Sequence, residues 1–326
     1  MEIEQGNSLW SDAWLRLKKN KMAFISFWLV ITIFALCFFL PLIGEIGAPE
    51  GDKERAANHW FKDPNHQILT ETFKSPDSTN IMGTDQLGRD LFSRVLYGGQ
   101  ISLLVGLLAT CISMGIGILY GAISGYKGGK TDSILMRIVD VLYGLPFLVI
   151  VILFSVFISS WAKEAQDFLR DSWGLNDSLI NIIVNILPLC IAIGLLGWYT
   201  MARVVRSQVL SSKKLEYVEA AVSLGLSHKK ILLKHILPNL LGPIIVYTTL
   251  TIPGFILTEA SLSFLGLGVE SPNSSWGLLL LDGAKYMETY PRLLIIPSLI
   301  FATTLLSLNF LGDGLRDALD PKASKD

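Results

Sequence analysis

Few residues in this 326-residue chain stand at spacings that could do chemistry. Gly129-Lys130-Thr131 matches the end of a phosphate loop, G-x-x-x-x-G-K-S/T, whose backbone amides cradle phosphates while the lysine reaches them. The first glycine of that pattern falls on Ser124, and an apolar helical run rather than a strand precedes it. ATP binding is therefore not expected there, and Lys127 and Lys130 read as anchors at a membrane face. His59, His66, His228 and His235 make no metal-ligand spacing. Cys37, Cys111 and Cys190 lie in apolar runs without a C-x-x-C pair and read as small packing residues. Neither H-E-x-x-H nor G-x-S-x-G occurs, so an intramembrane hydrolase has no starting point. The expectation is a chain with no catalytic residue, no metal and no cofactor.

Three ionisable groups at the edges of apolar runs remain as suspects. Arg137 and Asp140 stand three apart and are expected to pair, while Glu259 is expected at the outer mouth of a passage. Their blander readings are a structural ion pair and a snorkelling carboxylate. The clearest pattern does no chemistry at all: Glu219-Ala220-Ala221, then Gly225, then Leu237-Pro238. Residues from Lys214 to Leu224 favour helix, and Gly225 sits where a left-handed cap ends it. Ser227 is placed to cap a second helix with Ile231, Leu232, Leu233 and Ile236 as its apolar side. The result is a helix-turn-helix with a small residue at its tip.

The elements that position these residues are membrane spans. The chain is 51% hydrophobic and only 17% charged, with a mean hydropathy of +0.49, far from the soluble balance of about a quarter charged. Residues 22–44, 95–126, 141–162, 178–202, 236–258 and 293–312 contain no Asp, Glu, Lys or Arg. Each is long enough to cross about 30 Å of hydrocarbon as a helix, and none carries the polar stripe of a soluble bundle. The first run is too long for a signal-peptide core and is expected to stay uncleaved. With the N-terminus inside, the inner segments hold 17 Lys and Arg and the outer ones 10, so both termini are expected to face the cytoplasm. The net charge of −1, without a basic tail, argues against a nucleic-acid partner.

Residues 1–21 read as an amphipathic helix on the inner leaflet, with Trp10, Trp14 and Leu17 on one face. Residues 45–94 form a partly ordered outer loop whose end sets Asp90 and Arg94 four apart on one helix face. Gly117, Gly121 and Gly125 make the small-xxx-small pattern that lets membrane helices approach closely. Pro146, Pro188, Pro243, Pro253 and Pro297 interrupt later spans, as suits a bundle around a passage.

On these residues the loop 203–235 resembles the EAA loop of bacterial ABC-importer permeases, the coupling helix that docks on an ATPase subunit. His235 stands where the general pattern prefers an aliphatic residue, as it does in permeases for peptides. Five further stretches extend the likeness over nearly the whole chain. They are Gly83-Thr-Asp-Gln-Leu-Gly-Arg-Asp, Met136-Arg-Ile-Val-Asp-Val-Leu, Leu262-Ser-Phe-Leu-Gly-Leu-Gly, Ser275-Trp-Gly and Leu311-Gly-Asp-Gly-Leu-Arg-Asp-Ala-Leu-Asp-Pro. Together they are similar to the second permease subunit of oligopeptide and dipeptide importers, the OppC/DppC type, with residues 161–177 as an outer-loop insertion.

The resemblance implies an all-α polytopic membrane protein with six transmembrane helices in the type I ABC importer permease fold. It implies a bacterial inner-membrane location and a core at 95–312, with a cytoplasmic tail at 313–326. It implies a second permease subunit, two cytoplasmic ABC ATPases and an extracytoplasmic peptide-binding protein as partners, besides membrane lipid. Glu219, Ala220, Ala221, Gly225, Leu237 and Pro238 become the ATPase-coupling residues, and Glu259 a candidate for the translocation path. Competing readings are a dipeptide or nickel importer permease and, from another class, an ion-coupled secondary transporter, which needs midplane carboxylates and an inverted repeat.

Overall fold

The computed structural model describes residues 9–47, 61–174, 180–270 and 273–319. Ser8, Pro49, His59, residues 175–177 of the expected insertion and the tail from Asp320 onward lie outside the described residues. The helices in chain order are α1 (Leu9–Lys19), α2 (Lys21–Gly47), α3 (Leu91–Lys127), α4 (Gly129–Tyr143), α5 (Phe147–Glu164) and α6 (Gln166–Trp173). They continue with α7 (Ile182–Ser212), α8 (Glu216–Ser223), α9 (His228–Phe264), α10 (Trp276–Lys285) and α11 (Arg292–Leu319). Among the described residues six helices are long and apolar enough to cross a membrane: α2, α3, α5, α7, α9 and α11.

Span boundaries follow the helix-breaking residues more closely than the charge-free runs do. The third run, expected from 141, breaks at Gly144–Pro146, so that α4 lies before the spanning helix α5. Proline lacks an N–H and disfavours helix in the residue before it, which places the break. Pro188 and Pro238 act differently. Each follows a single wide helical turn, Ile182–Ile186 and Leu232–Ile236, with i→i+5 geometry that makes room for the ring. Pro41, Pro253 and Pro297 sit inside helices that run on past them.

The α3–α7 pair forms the centre of the bundle. Gly117, Gly121 and Gly125 of α3 lie directly against the α7 backbone. A Cβ on Gly117 would stand 2.6 Å from that of Met201, and one on Gly125 would stand 2.8 Å from the Arg206 carbonyl oxygen. At Gly121 the added atom would run into the Ala202 carbonyl oxygen. Gly121→Leu is therefore expected to cost about 3 kcal/mol by forcing two backbones apart. Thermal unfolding of the detergent-solubilised protein checks this, and a wild-type midpoint would show that α3 and α7 tolerate separation.

Helix α1 forms as expected, but its apolar face has a protein partner. Ala13 and Leu17 are buried with Ala23, Leu311 and Ala318 of α2 and α11, while Trp14 packs edge-on against Phe27 at 5.3 Å. At the far end of the bundle, the described part of the 45–94 loop is ordered by packing on α10 and α11. Phe73 adopts a left-handed φ of 53°, stacks on Tyr290 at 4.2 Å, and its carbonyl accepts from Arg292 at 2.6 Å. α10 was not legible as a helix, although Ser275-Trp-Gly at its start was one of the quoted stretches, and its Trp276 is among the largest fully buried side chains.

Candidate functional site

The lever forms where α7 ends. α8 closes with Leu226 N–H donating to Ala221 O at 3.2 Å and Gly225 N–H donating to Val222 O at 2.9 Å. This is the Schellman pattern, and Gly225 at φ +72° supplies the left-handed residue it needs. Ser227 precedes α9 in extended conformation, but its side chain makes no capping bond, which corrects the expected cap. The underside is apolar: Val218, Ala221, Ile231 and Ile236 are buried against Ala122 of α3 and Val205 and Val209 of α7.

Polar clasps fix the lever laterally. Lys213 Nζ donates to the Tyr126 carbonyl at 2.6 Å, and the Tyr126 hydroxyl meets His228 Nδ1 at 3.0 Å. Arg206 of α7 grips Asp132 of α4 through two donors, each at 2.5 Å, and Ser124 Oγ donates to the same carboxylate at 2.6 Å. The Arg206 hydrogen bonds hold the Asp132 carboxyl below its ordinary value. Bidentate guanidinium–carboxylate geometry fixes orientation as well as distance. These bonds tie together the neighbouring ends of α3, α4, α7 and α9.

The exposed face differs from expectation in its centre. Glu219, Ala220 and Gly225 are exposed, but Ala221 is 4% exposed and faces inward, so it packs the lever instead of lining its surface. Leu237 is half-buried at the base and Pro238 exposed beside it, both at the start of the span. Leu233 is exposed rather than part of the apolar side. The residue that sequence reasoning missed is Leu224, 79% exposed at the tip, with Val222, Leu215 and Tyr217 exposed around it. Lys214, Glu219, Lys229 and Lys230, near in sequence, are exposed as well. An exposed apolar anchor of this kind is how a protein docking surface is built. The signal available was an uncharged Leu-Gly pair at the turn of a basic loop.

Other expected groups moved. Asp140 pairs with Arg203 of α7 at 2.7 Å, not with Arg137 one turn away on its own helix. Asp90 caps α3 by accepting from Ser93 N–H at 2.8 Å, and does not pair with Arg94. Burial pushes the Asp90 carboxyl up, against the pull of those Ser93 bonds. Arg94 and Arg89 instead converge on Asp85, with Arg89 Nε donating at 2.7 Å, and Asp282 of α10 lies 3.8 Å from Arg94. All three of Asp85, Arg89 and Arg94 are buried.

Glu259 does not open onto a mouth. It is fully enclosed, with Ser102 Oγ and Ser263 Oγ each donating to it at 2.7 Å. Those serines in turn accept from Trp276 N–H and Val269 N–H, both at 3.1 Å. The carboxyl thus ties α3, α9 and the start of α10 into one knot, a positioning arrangement. Gly129-Lys130-Thr131 opens α4 one residue after α3 ends, with Gly128 and Gly129 at positive φ, and has no strand before it. Cys37 and Cys190 are buried as expected, whereas Cys111 is exposed.

Known families and relatives match nearly the whole chain. Residues 117–325 match the family described as binding-protein-dependent transport system inner membrane component, and residues 8–57 match the N-terminal TM domain of oligopeptide transport permease C. The chain is 42% identical over 99% of its length to the oligopeptide transport system permease protein OppC of Haemophilus influenzae, covering 91% of that protein. It is 40% identical to the OppC of Escherichia coli K12 over 99% of this chain and 94% of that one. It is also 40% identical to the dipeptide transport system permease protein DppC of Bacillus subtilis, over 95% of this chain and 85% of that one. A solved inward-facing MetNI methionine ABC transporter chain aligns at TM-score 0.45 and 16% identity, over 70% of this chain and 96% of that one. The chain belongs to the family of binding-protein-dependent transport system inner membrane components and is a multi-pass ABC-importer permease of the inner membrane.

Proposed function

We propose that this permease forms half of the translocation path of an oligopeptide importer and receives its power stroke through α8. A second, homologous permease completes the passage, two ABC ATPases dock on the levers, and an extracytoplasmic binding protein delivers the peptide. ATP hydrolysis resides on the ATPases, and this chain contributes no catalytic group. Both termini face the cytoplasm, on the side of the lever, in keeping with the excess of Lys and Arg in those segments.

The observation that carries this reading is the exposed Leu224–Gly225 tip on a helix whose other face is packed on two membrane spans. A short helix so mounted converts a push from a soluble partner into movement of α3 and α7. The substrate class is supported by relatives named for oligopeptide transport at 38–42% identity. Reconstitution of this chain with its neighbouring permease, ATPases and binding protein in proteoliposomes tests it. ATP-dependent uptake of tri- to pentapeptides above that of dipeptides is expected. Uptake only of dipeptides would move the chain to a dipeptide system, and uptake driven by an ion gradient without ATP would overturn the assignment.

A further inference from the structure

A concave pocket of ≈ 290 Å³ opens between α5, α7 and α9, away from the lever and from the ionic cluster near α10. Its wall carries Tyr199, Thr200, Tyr247, Thr251 and Thr258, with Gly254 among them, and no charged residue lines it. Thr251 Oγ1 donates to the Tyr247 carbonyl at 2.7 Å and Thr258 Oγ1 to the Gly254 carbonyl at 2.9 Å. The Thr251 and Thr258 hydroxyls are thus satisfied within the chain and still keep lone pairs that can accept an N–H.

Gly254 adds an independent observation. A Cβ built on it meets nothing within 4 Å, so no neighbour in this chain requires a glycine there. Glycine weakens a helix interior relative to alanine, and its presence leaves the pocket open. Tyr199 of the pocket wall has its ring 5.3 Å from that of Tyr143. Arg203 covers Tyr143 at 4.6 Å and pairs with Asp140 at 2.7 Å. Tyr199 of the pocket wall is thus joined through Tyr143 and Arg203 to Asp140 of α4.

Resting on the peptide-importer reading, we propose that this pocket is where the chain touches the backbone of the passing peptide. Neutral hydroxyls suit that task. A peptide offers an N–H and a C=O at nearly every residue, so a wall of threonines and tyrosines can engage it in any register. The absence of a charged lining residue leaves the wall indifferent to the charge of the cargo's side chains.

The test uses the full complex in proteoliposomes with tetra-alanine as the probe. Gly254→Trp fills the pocket from a helical position, and Gly115→Trp is its control, since Gly115 on α3 also faces open space. Uptake is expected to fall about tenfold or more in Gly254→Trp, with subunit stoichiometry and basal ATP hydrolysis retained, and to stay within about twofold in Gly115→Trp. The paired change Thr251→Val and Thr258→Val preserves volume and is expected to lower uptake about fivefold, the scale of a lost hydrogen bond. Wild-type uptake by Gly254→Trp overturns the proposal. So does loss of the second permease from Gly254→Trp together with normal uptake by the valine pair, which would assign this face to subunit packing. A wild-type complex that takes up no peptide sinks the importer reading instead.

Discussion

A complex carrying Leu224→Asp is expected to lose its ATPase subunits and to transport no peptide, while the permease alone unfolds where the wild type does. Leu224 is 79% exposed and contributes almost nothing to the packed underside of the lever. Exposed substitutions of this kind change stability by about 0.5 kcal/mol or less. The docking term is another matter, because truncating a central anchor costs about 2 kcal/mol or more. Seating an unpaired carboxylate in its place adds about 1–3 kcal/mol of unmet solvation. Together these exceed two decades in affinity, taking about 1.4 kcal/mol per decade.

Gly225→Asp should act in the same direction but more weakly, by about 2 kcal/mol of docking. Its left-handed φ of +72° is one that Asp adopts more readily than most residues, and the added Cβ meets nothing within 4 Å. Co-purification stoichiometry and peptide-stimulated ATP hydrolysis are the two readouts. Normal values of both for Leu224→Asp would mean that the ATPases do not dock on α8.

The second large effect is expected at the opposite end of the bundle. Arg94→Met removes a guanidinium that is 1% exposed and lies against Asp85, itself 4% exposed in its side chain. Asp85 keeps Arg89 at 2.7 Å and the Leu87 and Arg89 backbone amides at 2.8 and 2.9 Å. It nevertheless loses half of its countercharge in a place water cannot reach. Breaking a buried pair from one side costs about 3–5 kcal/mol, and the damage should spread to α10, whose Asp282 faces both arginines. Thermal unfolding in detergent and proteolysis of the 61–90 segment measure it. A loss below about 1 kcal/mol would show that the cluster is more solvated than its burial indicates.

The six spans were legible because hydrocarbon imposes a local rule: about 20 residues without a charge. The glycine triplet predicted a close helix contact for a similar reason, since only a small residue lets two backbones touch. The lever's turn was readable too, because a left-handed cap is a property of a few consecutive residues. Partner choice was not readable. Arg94 sits four residues from Asp90 but meets Asp85, Asp140 meets Arg203 rather than Arg137, and Glu259 meets Ser102 from another span. Spacing along one helix counts only the neighbours on that helix.

What the sequence determined by itself, then, was the solvent of each segment and the family pattern of the loop between the fourth and fifth spans. Only the tertiary structure decided which of Ala220 and Ala221 faces out, that Leu224 is the tip, that Glu259 is sealed, and that hydroxyls from α7 and α9 share one pocket. The reason is physical: membrane partition acts on a residue wherever its neighbours lie, whereas a charge or hydroxyl buried among helices is stabilised only by atoms that folding brings from elsewhere in the chain.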